Sequence, residues 1–191
     1  MLINNDFEVA QPVEAVWQFF GDIPRVASCL PGAELTETLG ADKYGGRVAV
    51  RMGPVRLQFA GTAEITERDE AARRIVVHAA GAEERGRGQA SMVVSATLTP
   101  AGHGTKVAVA QDLQLAGAAA QYGRGMISDV TAVLMRDFAA NLANQIASAE
   151  RGEAVQAAPA PAGGLGIGLR AALMALRRVF RRFFVPYHAA S

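Results

Sequence analysis

The sequence predicts an α+β fold: a curved antiparallel sheet of about seven strands wrapped around one long C-terminal helix, with two short helices after the first strand. Three observations predict it. Between residues 44 and 115, apolar and polar residues alternate with period two in short runs separated by turns. From Gly117 to about Ala149 there is no proline, and Met126, Ile127, Val130, Val133, Leu134, Phe138, Leu142 and Ile146 recur at helical spacing. That stretch makes a helix of roughly 26 to 30 residues, about 40 Å long. Finally, alternation leaves the sheet with one dry face, and only the long helix is large enough to cover it.

In chain order, residues 2–10 read as a first strand with Ile3, Phe7 and Val9 on one face. Gln11-Pro12 then opens a short helix, with Pro at its first position and Val13, Val16, Trp17 and Phe20 as its apolar face. A second short helix covers Ile23 to Ser28 and stops before Leu30-Pro31-Gly32. A short strand follows near Leu35 to Leu39. Tyr44, Val48, Val50 and Met52 form the next alternating set, and Gly53-Pro54 turns the chain into Val55, Leu57, Phe59, Ala63 and Ile65. Glu67 to Ala72 is a polar turn before Ile75, Val77 and Ala79. Beyond GAEERGRG come Ala90, Met92, Val94, Ala96 and Leu98, and a turn at Pro100 to Gly104 leads to Val107, Val109, Leu113 and Leu115. Turns this short favour an antiparallel meander.

Composition adds a domain boundary. Residues 1–150 hold 13 Lys and Arg against 17 Asp and Glu, whereas residues 151–191 hold six Arg against one Glu. A mildly acidic domain over 1–149 therefore carries a basic tail, which suggests an anionic partner. Residues 150–164, ERGEAVQAAPAPAGG, read as an Ala/Pro/Gly-rich flexible linker. Residues 165–187 then resume order as a basic amphipathic helix. Leu169, Leu173, Leu176, Val179, Phe180, Phe183 and Phe184 share one side; Arg170, Arg177, Arg178, Arg181 and Arg182 share the other. Five Arg at roughly 2.5–3.5 kcal/mol each near a bilayer centre disfavour a transmembrane helix. A helix lying in the interface, Phe and Leu in the acyl boundary and Arg at anionic headgroups, fits better. Docking on the protein's own domain or on a partner is the alternative; nucleic acid would leave the Phe/Leu face unburied. One cysteine and no signal-peptide pattern at MLINNDFEVAQPVEAVW predict a cytoplasmic protein, peripheral on the inner face of the cell membrane.

Catalytic signals are sparse. His188 lies in the tail, His103 in a turn and His78 on the polar side of its strand, and no paired Cys/His spacing suggests a metal. Cys29 has no base near it in sequence and reads as a small buried residue. GRG at 86–88 is not a phosphate loop, and the acidic domain lacks a surface for single-stranded nucleic acid. The inward-facing strand positions read as nearly all apolar. No enzyme is expected.

A curved sheet around a long helix can instead enclose apolar volume for a hydrophobic small molecule. The candidate lining is Val48, Val50 and Met52 from one strand and Leu57 and Phe59 from the next. Val77, Met92, Val94 and Val109 come from later strands, and Tyr122, Met126, Val130 and Leu134 from the start of the long helix. The same residues fit ordinary core packing, so a hollow and a filled interior both stand at this stage.

Several short motifs occur in a telling order. They are Val16-Trp17, Cys29-Leu30-Pro31-Gly32-Ala33-Glu34, Met52-Gly53-Pro54-Val55, Gly104-Thr105-Lys106-Val107, and Gly117 through Ile127. In these, over residues 1 to about 148, the chain resembles the carbon monoxide dehydrogenase G-subunit family of the START and Bet v 1-like helix-grip superfamily. Where that family often has two Phe late in the long helix, this chain has Asp137-Phe138. The resemblance implies a non-catalytic accessory protein that recruits a molybdenum-containing CO dehydrogenase, or a related hydroxylase, to the cytoplasmic membrane. With the apolar interior, it also suggests a bound respiratory quinone (menaquinone or ubiquinone). The competing expectations are an assembly factor with a filled core and a cyclase-type enzyme of the same superfamily.

Overall fold

The computed structural model describes residues 1–151. The expected linker from residue 152 onward and the amphipathic segment 165–187 lie outside the described residues.

The elements follow the predicted order. They are β1 (Leu2–Val9), α1 (Val13–Phe20), α2 (Ile23–Cys29), β2 (Ala33–Thr38), β3 (Lys43–Met52), β4 (Val55–Asp69), β5 (Arg74–Glu83), β6 (Gly88–Ala101) and β7 (Gly104–Gly117). A single 3-10 turn, Ala118–Gln121, then leads into α3 (Arg124–Glu150). The strands form one antiparallel sheet in the order β1-β7-β6-β5-β4-β3-β2. From β2 to β7 this is a meander of neighbours. The exception is β1, which reaches the far edge to pair with β7, Leu2 opposite Asp112 through Val9 opposite Thr105. α1 and α2 carry the chain from that edge to the other.

Local chemistry accounts for the boundaries and for some departures. Pro12 caps α1 from outside instead of occupying its first turn, and Phe19 is buried where Trp17 is only half-buried. α2 starts at Asp22, whose carboxylate accepts the Arg25 amide at 3.2 Å, and it includes Cys29. β4 runs three residues into the stretch expected to be a polar turn, because a bulge between Ile65 and Glu67 lets it stay paired with β5 to Asp69. Two glycines allow close approach in the middle of the sheet. A Cβ on Gly61 would lie 2.0 Å from the Ala80 carbonyl oxygen, and one on Gly81 2.8 Å from that of Ala60. At this point β4 and β5 have room for backbone only.

Apolar packing divides into two clusters. One gathers α1, Cys29, the Val107–Val109 part of β7, and Phe138, Leu142 and Ile146 of α3. Phe138 is its hub, meeting Phe7 and Phe20 edge-on at 6.0 and 6.4 Å between ring centroids. The other gathers Ile3, Met52, Leu57, Ala119 and Ile127 near the start of α3. Ile127 and Phe138 are eleven residues apart in the sequence, so the clusters are centred about 16 Å apart along the helix.

Candidate ligand site

Strand register brings the predicted strand residues to one face, the one that α3 covers. Val48 pairs with Phe59, Val50 with Leu57, and Val77 with Val94. Ala79 pairs with Met92, and Ala96 with Val109. Their depths differ. Met52, Leu57 and Val109 are buried within the two clusters, and Val50, Phe59, Tyr122 and Val130 are half-buried against the second. Val77 and Val94 are half-buried against the first. Val48, Met92 and Leu134 are half-buried and belong to neither cluster. The concave face thus has a seam between its two packed ends, lined by apolar side chains that stay partly accessible.

Small residues neighbour that seam. Gly46, Gly61 and Gly81 sit in register across β3, β4 and β5, with Ala63, Ala79 and Ala90 beside them on the same face. With no more than a methyl group at these positions, the sheet projects little toward the helix. The α3 side departs from the expected stripe at two residues. Met126 is 43% exposed, and Ile127 holds the buried position instead, at 5%. Val133, also on the predicted stripe, is 44% exposed. Helical spacing gives the phase of a stripe to within one residue, and here the buried face is centred beyond Met126.

The inward positions are less uniformly apolar than the sequence suggested. Asn5 shares the phase of Ile3 and Phe7 on β1, and Gln111 that of Val109 and Leu113 on β7. Gln111 is 5% exposed. Glu83, opposite Phe59 at the end of β5, is also buried. Its carboxylate accepts from the Arg87 guanidinium at 2.6 Å and from the backbone amides of Arg85 and Arg87 at 2.9 and 3.2 Å. The Arg87 hydrogen bond, supported by those amides, pulls its pKa down to about 2. Arg87 also donates to the Arg56 carbonyl at 3.0 Å, and its own carbonyl accepts the Ala119 amide at 3.3 Å. Glu83 therefore fixes the β5–β6 hairpin against the entry to α3 and carries no proton to donate near neutral pH. Strict alternation is the sequence signal for all three polar residues. At Glu83 the polar run GAEERGRG obscures it, because that run reads as a turn although β5 continues into it as far as Glu83.

Other chemical candidates keep structural roles. Cys29 is fully buried, and burial pushes its thiol pKa up to about 11. His78 is exposed on the outer side of β5, and His103 is exposed in the β6–β7 turn. Among the described residues no group of His, Cys, Asp and Glu could hold a metal ion, and no helix is long and apolar enough to cross a membrane.

This architecture, a curved seven-stranded antiparallel sheet gripping a long C-terminal helix, is that of the Bet v 1-like proteins. The model of the carbon monoxide dehydrogenase G-subunit (CoxG) family matches residues 6–147, and the chain belongs to that family. Among solved structures, it is similar to a conserved protein from Geobacillus kaustophilus at 23% identity and a TM-score of 0.70, covering 78% of this chain and 97% of that one. The Zhui aromatase/cyclase from Streptomyces sp. R1128 is similar at 16% identity and a TM-score of 0.58, over 81% and 99% of the respective chains. Ara h 8.0201 shares the fold at 14% identity and a TM-score of 0.50, over 78% and 98%. No curated protein matches the sequence.

Proposed function

We propose that this chain is a non-catalytic accessory protein that binds a hydrophobic ligand between the concave sheet and the first half of α3. The observation that carries the reading is the seam. Val48, Met92 and Leu134 are partly accessible apolar residues between two packed clusters, beside a run of Gly and Ala. A core evolved only for stability would bury these side chains, because apolar surface left accessible forfeits the free energy of its burial. Membership of the CoxG family supports an accessory role beside a molybdenum-containing CO dehydrogenase or related hydroxylase. A respiratory quinone, menaquinone or ubiquinone, suits the site: it is apolar over most of its surface and would carry electrons away from a soluble dehydrogenase. The Arg- and Phe-rich segment Leu169–Phe184 is then the attachment to the anionic inner face of the cell membrane.

Two experiments test this. Organic extracts of protein purified from its native host, analysed by mass spectrometry, are expected to contain quinone in near-stoichiometric amount; extracts with no quinone and no other lipid overturn the ligand. In liposome flotation, the full chain is expected to rise with anionic vesicles and a truncation after Glu150 to stay behind. Equal flotation of both removes the anchor.

A cyclase-type activity has one point in its favour, the likeness in fold to the aromatase/cyclase. Against it, the inward polar residues Asn5 and Gln111 are amides that neither take nor give protons at neutral pH. Glu83, the inward carboxylate, is held ionised by Arg87.

A further inference from the structure

Asn5 and Gln111 lie close together on the concave face. β1 and β7 pair with Asn5 opposite Val109 and Gln111 opposite Ile3, so the two residues are diagonal neighbours across the ladder, a spacing of about 7–8 Å between backbones. Both sit at the seam. Ile3 on one side of Asn5 belongs to the second cluster, and Phe7 on the other side packs against the first. Likewise Val109 belongs to the first cluster and Leu113 packs against the second, with Gln111 between them.

The amide nitrogens of Asn5 and Gln111 are both shielded from solvent and have no hydrogen-bond partner among the described residues. Three other buried polar atoms of the described residues lack partners: Gln11 Oε1, Arg87 Nε and Gln145 Oε1. Each of those belongs to a side chain anchored by another of its atoms: Gln11 to the Ala143 carbonyl, Arg87 to Glu83, Gln145 to Ser28. Asn5 and Gln111 differ in having no such anchor. Buried amides are almost always bonded, and leaving two adjacent ones idle inside an apolar face is costly unless something else arrives to meet them.

We infer that Asn5 and Gln111 form a polar subsite that donates two N–H groups to an acceptor oxygen, a carbonyl above all, of a ligand that is otherwise hydrocarbon. The inference rests on the apolar ligand site proposed above. A neutral oxygen fits better than a carboxylate or phosphate, since the same-face neighbours of the two amides, Ile3, Phe7, Val94, Val109 and Leu113, include no cation. Val94, directly opposite Gln111 on β6, supplies apolar wall next to the donors.

The test compares two probes of nearly equal shape, 2-acetylnaphthalene and 2-ethylnaphthalene, titrated by calorimetry into the full chain and into Gln111→Met and Asn5→Leu variants. Leaving the carbonyl short of one N–H donor in an apolar site corresponds to about a tenfold change in relative affinity. The ratio of ketone to hydrocarbon affinity is therefore expected to fall about tenfold in each variant, with ethylnaphthalene binding as well as before or better. Measuring two variants at different strands guards against one of them failing to fold. A ratio that stays within twofold of wild type in the folded variants overturns the subsite and leaves the apolar site standing. If neither probe binds the wild-type chain, the apolar site itself falls, and the subsite with it.

Discussion

The two halves of α3 do different work. From Phe138 onward the helix is clamped: Phe138, Leu142, Gln145 and Ile146 are all buried, Leu142 completely. Polar side chains fasten it as well. Asn141 Nδ2 donates to the Cys29 carbonyl at 2.9 Å, meeting an acceptor left open at the end of α2, and Gln145 Nε2 donates to the Ser28 hydroxyl at 2.8 Å. From Arg124 to Leu134, Ile127 alone is buried, while Met126 and Val133 are largely exposed. One continuous helix is thus a strut at its far end and a loosely seated cover at its near end. The difference teaches where each task resides. Stability is concentrated around Phe138, and accessibility around Leu134, where the proposed ligand lies.

The sharpest way to break this comparison is to truncate a side chain in each half. Leu142→Ala is expected to cost about 2–5 kcal/mol of stability, and Leu134→Ala about 1 kcal/mol or less, because the second site has less packing to lose. Urea unfolding of both variants measures the gap; equal losses would make the helix uniform and close the seam. Next in size is the polar fastening. Asn141→Leu strands the buried Cys29 carbonyl and is expected to destabilise by about 1–3 kcal/mol, seen in the same denaturation midpoints. A loss below about 0.5 kcal/mol would show that water takes over the carbonyl.

The third prediction sharpens the near end and depends on pH. Glu83 titrates at about 2 in the folded chain, below its ordinary value of 4.5, so its contribution is fully present above about pH 4.5 and is lost as the pH falls toward 2. Glu83→Gln removes that dependence. The wild-type stability advantage over the variant should be constant near neutral pH and shrink steadily between pH 4.5 and 2. An advantage that did not change across this window would mean the Arg87 pair contributes nothing to the fold. Smallest of all is the expected effect at Cys29. Its thiol should react with a disulfide reagent at about pH 8 only as fast as the clamped end opens, and faster labelling than unfolding would show a looser clamp.

Much of this architecture is legible in the residues alone. Period-two runs and the helical stripe locate β3 to β7 and the long helix, since both signals come from one face being dry. Turn residues such as Gly53-Pro54 place the hairpins. What alternation cannot give is depth: Val48 and Leu57 carry the same signal, yet Leu57 is buried in a cluster and Val48 lines the seam. Depth depends on which elements pack over each position, such as the Phe138 contacts with Phe7 and Phe20, and those elements meet only in three dimensions. Asn5 and Gln111 are legible in phase, but the apolar majority of each strand masks them. At Met126 the helical phase errs by a single step.

The non-local pairing of β1 with β7 governs how the chain comes off a ribosome. The first strand must wait for roughly a hundred residues before its partner appears, and the cover on the sheet is synthesised after all of them. Until Arg124–Glu150 has emerged, the nascent chain presents an uncovered apolar face to water or to whatever hydrophobic molecule is at hand. Chains halted before residue 124 should therefore be the aggregation-prone products of this sequence, and ligand present during translation would meet an interior not yet closed.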